Sequence, residues 1–360
     1  MYRLVLIVTL GFVALLPQRA SAEYAWVRQT RQFAARTAGQ VGQCWNRCVD
    51  ACATTTRRWV RNSVDYLAPS AREEAARRCG LRLPKQVAGA PRLVVLIHGL
   101  DSSPEHWRDL TGLLEQEGYA VATLSYPNDQ PLDESAALLA GEMARVHGAY
   151  PRLAVDIVGH SMGGIIARAY VEGHRYAGGV GRLILLAPPN HGSCYSQFSV
   201  VSDLVEHCGL WYSDPNWSWT WMVTDGLGEA RRDIAPGAPF LLSLNDKARR
   251  REVRYTIVAG NRSCGWRYAA NLLRWSSVCV PEAQWSRPID ETLQCWAGRL
   301  ESRTGSNDGL VKIENALLPG VDDVVIVPAD HITISCSANG CPPVAWPVIR
   351  DRLATAKAQK

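Results

Sequence analysis

Val158-Gly159-His160-Ser161-Met162-Gly163-Gly164 carries a strand end through G-x-S-x-G into the start of a helix, the arrangement that forces a serine into a tight, exposed turn. Ser161 is the candidate nucleophile. Gly159 and Gly163 flank it where a side chain would collide with neighbouring backbone, and Gly164 lets the next helix pack close to the strand. Leu153 to Val158 reads as a short buried parallel strand interrupted by Asp156. Beyond the turn, Ile165, Ile166, Ala169 and Tyr170 recur at helical spacing. A bare G-x-S-x-G is common by chance; strand, elbow and helix in succession make it specific.

A nucleophilic serine needs donors waiting for an oxyanion, one from the residue after the serine and one from a loop after an earlier strand. Leu93 to Ile97 supplies that strand and runs into His98-Gly99-Leu100-Asp101-Ser102. The backbone N–H groups of Leu100 and Met162 are the candidate oxyanion hole. His98 beside it reads as a loop brace, because a base follows the last strands of such a sheet.

The acid and the base should come later, in that order. Ser306-Asn307-Asp308-Gly309-Leu310-Val311 puts a carboxylate in a turn-forming cluster, and the apolar run Val324 to Val327 leads through Pro328, Ala329 and Asp330 to His331. His331 would take the proton from Ser161, and Asp308 would hold the imidazole in its tautomer. A second reading makes Asp308 a turn carboxylate capping its own backbone, with Asp290 or Asp330 as the acid. His191, in Asn190-His191-Gly192-Ser193, reads as loop bracing or pocket lining. His106, His147, His174 and His207 read as surface or helix residues.

Val94-Val95-Leu96-Ile97-His98-Gly99-Leu100, Val155 to Gly164, Leu186-Ala187-Pro188-Pro189-Asn190-His191-Gly192-Ser193 and Ser306-Asn307-Asp308-Gly309-Leu310-Val311 together resemble bacterial triacylglycerol lipases and the related GPI inositol-deacylase-like serine esterases. Arg232 to Asn245 is similar to the segment such esterases carry after their lid. The resemblance covers Arg92 to Ile332. It implies an α/β-hydrolase fold and hydrolysis of carboxylic esters through an acyl-enzyme, with Ser161, Asp308 and His331 at the triad positions and no cofactor or metal. The expected substrate is an ester or lipid. An acyltransferase, thioesterase or amidase on the same triad is the alternative within catalysis, and a non-catalytic envelope- or lipid-binding protein the alternative outside it. The Arg-rich front and the cysteine-bearing stretch from Arg262 to Thr304 depart from the family pattern.

The elements around these motifs alternate: strand Leu93 to Ile97, helix Glu105 to Glu117, strand Tyr119 to Ser125, helix Leu132 to Val146, the elbow, and strand Leu183 to Ala187. Strands at Tyr255 to Val258 and Val324 to Val327 and a helix from Val344 to Ala356 follow. The pattern predicts an α/β fold, a mainly parallel sheet with helices on both faces. There is no room for the usual leading antiparallel pair before Leu93, which points to a reduced sheet. The alternation stops at about 190–241, where Trp211, Tyr212, Trp217, Trp219 and Trp221 cluster. Insertions of this length are usually lids or binding loops. Two readings stand, an aromatic lid meeting an acyl substrate or a membrane surface and a small satellite core.

Residues 1–22 have the charged start, short apolar run and small-residue site of a secretory signal peptide, with removal expected after Ala22. The protein is expected to be exported, secreted or periplasmic, and either soluble or peripheral to a membrane. Eleven cysteines in an exported chain suggest disulfides, with Cys336–Cys341 and Cys194–Cys208 as guesses. Cys44, Cys48 and Cys52 share a helix face but lack the spacing of zinc modules. Glu23 to Arg82 holds eleven arginines against five acidic residues, whereas Leu83 to Lys360 holds 26 basic against 29 acidic. The expected organisation is a basic helical arm and linker at 23–90 and a catalytic domain at 91–360, with insertions at about 190–241 and 262–304. The arm reads either as a solvated helical face or as a surface for anionic head groups. No nucleic-acid partner is expected, because the basic residues carry no reading motif and export is expected. The sequence does not give the oligomeric state.

Overall fold

The computed structural model describes residues 77–84, 87, 90, 92–100, 102–128, 130–193, 229–262, 306–338 and 340–354, all in the unit Ala68–Lys360. The expected signal peptide, most of the basic arm with Cys44, Cys48 and Cys52, the tryptophan cluster, the Cys194–Cys208 pair and Asp290 lie outside the described residues. The elements in chain order are β1 (Gly80–Arg82), β2 (Arg92–Ile97), α1 (Arg108–Gln116), β3 (Ala120–Ser125), α2 (Leu132–Ala149), β4 (Ala154–His160), α3 (Met162–Val171) and β5 (Val180–Leu186). They continue with α4 (Glu229–Asp233), α5 (Pro239–Asn245), β6 (Arg254–Gly260), α6 (Ile313–Ala316), β7 (Val324–Val327) and α7 (Trp346–Ala354).

The strands form one seven-stranded sheet in the order β1-β3-β2-β4-β5-β6-β7. All pairings are parallel except β1 on β3, where Gly80 faces Ser125 and Arg82 faces Thr123. The sequence left no room for the usual leading antiparallel pair before Leu93. Among the described residues one short antiparallel strand stands there, at Gly80–Arg82. Its Leu81 N–H donates to Glu142 Oε2 at 2.9 Å, which ties so short a strand to the helix α2 as well as to β3.

Continuous apolar runs suit strands buried on both faces, and β2 shows the alternation directly. Leu93, Val95 and Ile97 join one hydrophobic cluster with Leu132, Leu139 and Met143 of α2 and Ile165, Ile166 and Tyr170 of α3. Val94 and Leu96 join the other, with Leu110 and Leu114 of α1 and Ile349 and Leu353 of α7. The polar residue inside β4, Asp156, is fully buried because Arg92 of the neighbouring strand reaches both of its oxygens, at 2.7 and 2.6 Å.

The strand order locates the site. From β2 the chain steps outward to β3, then returns past β2 to β4 and continues in the opposite direction. The loops leaving the carboxyl ends of β2 and β4 therefore part to opposite faces and leave a crevice between them, the usual place for a ligand in an open α/β sheet. The β2 loop is His98 to Leu100, and the β4 loop is the turn at Ser161.

Candidate active site

Ser161 lies between β4 and α3 with φ 52° and ψ −124°, a conformation a non-glycine residue adopts only when its surroundings impose it. Its N–H donates to the Leu186 carbonyl at 2.8 Å, and its carbonyl accepts the Gly164 N–H at 3.0 Å. The flanking glycines leave no alternative. A Cβ on Gly159 would lie 2.7 Å from Gly163 O and Gly164 Cα, and one on Gly163 would run into the carbonyls of Ile97 and His98.

Asp308 follows β6 in sequence and His331 follows β7. The His331 Nε2 lies 2.9 Å from Ser161 Oγ, and its Nδ1 lies 2.8 Å from Asp308 Oδ2. All three residues are buried. Each carboxylate oxygen of Asp308 has its own partners. Oδ1 accepts the N–H groups of Leu310 and Val311 at 2.9 and 2.7 Å, which closes the turn, and Oδ2 is left for the imidazole. Gly260, at the end of β6, makes room, because a Cβ there would lie 2.9 Å from Asp308 Cβ. Asp330, the other described carboxylate considered for the acid, caps the turn after the histidine by accepting from Ile332 and Thr333 N–H, both at 2.9 Å.

The candidate oxyanion donors flank this line. Met162 opens α3, so its N–H belongs to the first turn, which has no partner within the helix. Leu100 stands in the turn after β2, and the preceding Gly99 touches the serine: a Cβ added to it would lie 3.1 Å from Ser161 Cβ. His98 braces this loop, with Nδ1 2.9 Å from the Gly99 carbonyl and its ring stacked on Tyr126 at 4.4 Å. The Tyr126 hydroxyl donates to the His98 carbonyl at 2.6 Å. Burial pushes the His98 imidazole down to about 4. Sequence reasoning missed Tyr126, although its position just past β3, on the outward side of the crevice, was the available signal.

His106, read as a surface or helix residue, lies half-buried in the short 3-10 helix Pro104–Trp107 and packs behind the elbow, its ring stacked on His160 at 5.0 Å and its Nε2 3.0 Å from Ser335 Oγ. Burial, helped by the nearby His331, pushes it down to about 4. The neighbouring cysteines give a correction. Cys336 and Cys341 are free thiols, not the expected disulfide. Cys336 Sγ faces His106 at 3.4 Å from Nδ1, while Cys341 is exposed and pairs through its backbone with Ala338.

The Asn190-His191-Gly192-Ser193 segment is structural bracing. Ser193 Oγ donates to the Leu310 carbonyl at 2.8 Å, in the turn that carries Asp308, and Asn190 Nδ2 donates to the Ala316 carbonyl at 2.5 Å. His191 braces through its main chain, its N–H donating to the Asn315 carbonyl at 2.9 Å, and its side chain is exposed. Beneath the segment lies a buried charge network that the sequence did not reveal. Arg168 of α3, with no exposed surface, binds Glu172 through Nε and Nη2 at 3.2 and 3.1 Å, and through Nη1 the side-chain oxygens of Asn190 and Asn245 at 2.8 and 3.1 Å. Arg249 reaches Glu172 from the other side at 3.1 Å.

The family model described as alpha/beta hydrolase family matches residues 94–350. Among solved structures, the mature form of Bacillus licheniformis lipase BlEst2 is similar at 22% identity and a TM-score of 0.52, covering 76% of this chain and 97% of that one. Its propeptide form matches at 21% identity and 0.52, with 75% of this chain and 52% of that one covered, so the chain spans about half of that longer form. Lipase 1 from Pelosinus fermentans matches at 15% identity and 0.46, covering 75% and 99%. At these identities the likeness is one of fold. No curated protein matches the chain in sequence.

Proposed function

The chain belongs to the alpha/beta hydrolase family, and from that premise we propose that it is a serine hydrolase of carboxylic esters, an esterase or lipase working through an acyl-enzyme on Ser161. The observation that carries the reading is the hydrogen-bonded line Ser161 Oγ, His331 Nε2, His331 Nδ1, Asp308 Oδ2, with contacts of 2.9 and 2.8 Å, on a serine held in strained backbone. In this reading Oγ attacks the ester carbonyl carbon as its proton passes to His331 Nε2. Asp308 keeps the proton on Nδ1 and stabilises the imidazolium. The carbonyl electrons move onto oxygen, where the N–H groups of Met162 and Leu100 receive the charge. Collapse of the adduct expels the alkoxide, which takes the proton from Nε2 and leaves Ser161 acylated. Water, deprotonated by the same nitrogen, attacks the acyl carbonyl and frees the acid and the serine.

Export would put this chemistry outside the cytoplasm, on ester or lipid substrates. The test is covalent labelling by a fluorophosphonate probe together with hydrolysis of p-nitrophenyl esters of graded chain length. Labelling and turnover, both lost in Ser161→Ala, are expected. A folded wild-type protein that neither labels nor hydrolyses any ester would overturn the reading.

A further inference from the structure

We propose that His160 is the positioning residue for the base, its ring serving as a strut from the elbow to the backbone of His331. The inference rests on the reading of Ser161 and His331 as nucleophile and base.

Three observations carry it. His160 Nε2 lies 2.8 Å from the His331 carbonyl oxygen, and since that oxygen only accepts, Nε2 carries the proton. The other ring nitrogen, Nδ1, is buried without a hydrogen-bond partner among the described residues. The ring is fixed in its plane by stacking on His106 at 5.0 Å and 14° and by the edge contact with Trp107 at 6.4 Å and 90°. An apolar ring would fill the same space and leave no orphaned nitrogen. The Nε2–H donor is thus the property that the imidazole adds.

The bond matters because of what it joins. The His331 N–H donates to the Asp308 carbonyl at 2.9 Å, so the residue bearing the base is held at one end by the acid's backbone and at the other by the neighbour of the nucleophile. His160 immediately precedes Ser161, whose own backbone is locked by the elbow. The strut therefore sets the distance from Nε2 to Oγ against the nucleophile's own backbone. Proton transfer depends on that separation, and a misplacement of about 1 Å lowers the rate about 10²-fold.

The experiment compares wild type with His160→Phe, His160→Asn and His160→Gln, reading kcat and KM on p-nitrophenyl butyrate, fluorophosphonate labelling and thermal melting. Glutamine places an amide donor about where Nε2 stands; asparagine is too short to reach. Expected is a loss of kcat of about 10- to 100-fold in His160→Phe and His160→Asn, with KM changed less than about twofold and folding retained, and recovery of most of the rate in His160→Gln. The proposal is overturned if His160→Phe or His160→Asn keeps the wild-type kcat, or if His160→Gln is no better than His160→Asn. If His160→Phe does not fold, the two amides decide; if none of the three folds, the ring belongs to stability and the proposal also falls. A wild type that does not label identifies a failure of the hydrolase reading instead.

Discussion

His331 brings its imidazole to within 2.9 Å of the Ser161 hydroxyl across a separation of 170 residues. Strand order explains how, because β4, β6 and β7 run parallel and all release their chains at the same edge of the sheet. At Asp308 one carboxylate oxygen holds the turn and the other faces the imidazole.

Asp308→Asn keeps an oxygen for the Leu310 and Val311 N–H groups and loses only the charge facing the imidazole. Its kcat should fall by on the order of 10⁴, with the unfolding midpoint near that of wild type. Asp308→Ala strands both N–H groups as well and should also lose about 1–3 kcal/mol of stability per unsatisfied group. Steady-state kinetics beside urea denaturation separates the two effects. An Asp308→Asn protein with near-normal turnover would move the acid elsewhere.

Arg168→Met should be among the more damaging changes away from the reacting atoms. It leaves Glu172 with Arg249 alone and removes the donor to Asn190 and Asn245. Breaking a buried pair from one side costs about 3–5 kcal/mol. Urea denaturation measures it, and a midpoint equal to wild type would show that the network contributes nothing.

Acid should destabilise the protein in a defined window. His98 and His106 are held down to about 4 and His160 well below the ordinary value of 6.5, each chiefly by burial. Between about pH 6.5 and 4 the unfolded chain binds protons there that the folded chain refuses. Stability is then present above pH 6.5 and lost as pH falls, by up to about 1.4 kcal/mol per pH unit for each ring. Burial pushes the Asp156 and Asp233 carboxyls up, so the folded chain holds protons there more readily and offsets part of the loss at the acid end. Urea midpoints from pH 7.5 to 5 should decline steadily; a flat series would contradict this.

The central strands and the elbow were legible because buried parallel strands are written as unbroken apolar runs and glycines mark where backbones touch. Asp308 and His331 were legible as a turn carboxylate and a histidine after a late strand. What escaped was whatever depended on distant partners. β1 is three residues whose strand character comes from β3 and from Glu142, not from its own composition. Arg168 looks like any helical arginine until Glu172, Asn190 and Asn245 surround it. His106 looks exposed until Ser335, Cys336 and His160 close over it from elsewhere in the chain.

Ser193 is anchored through both its side chain and its main chain, its hydroxyl donating to the Leu310 carbonyl and its N–H to the Ile234 carbonyl. One residue thus ties the turn that carries Asp308 to the chain just past α4, and Ser193→Ala would remove the first tie while leaving the second.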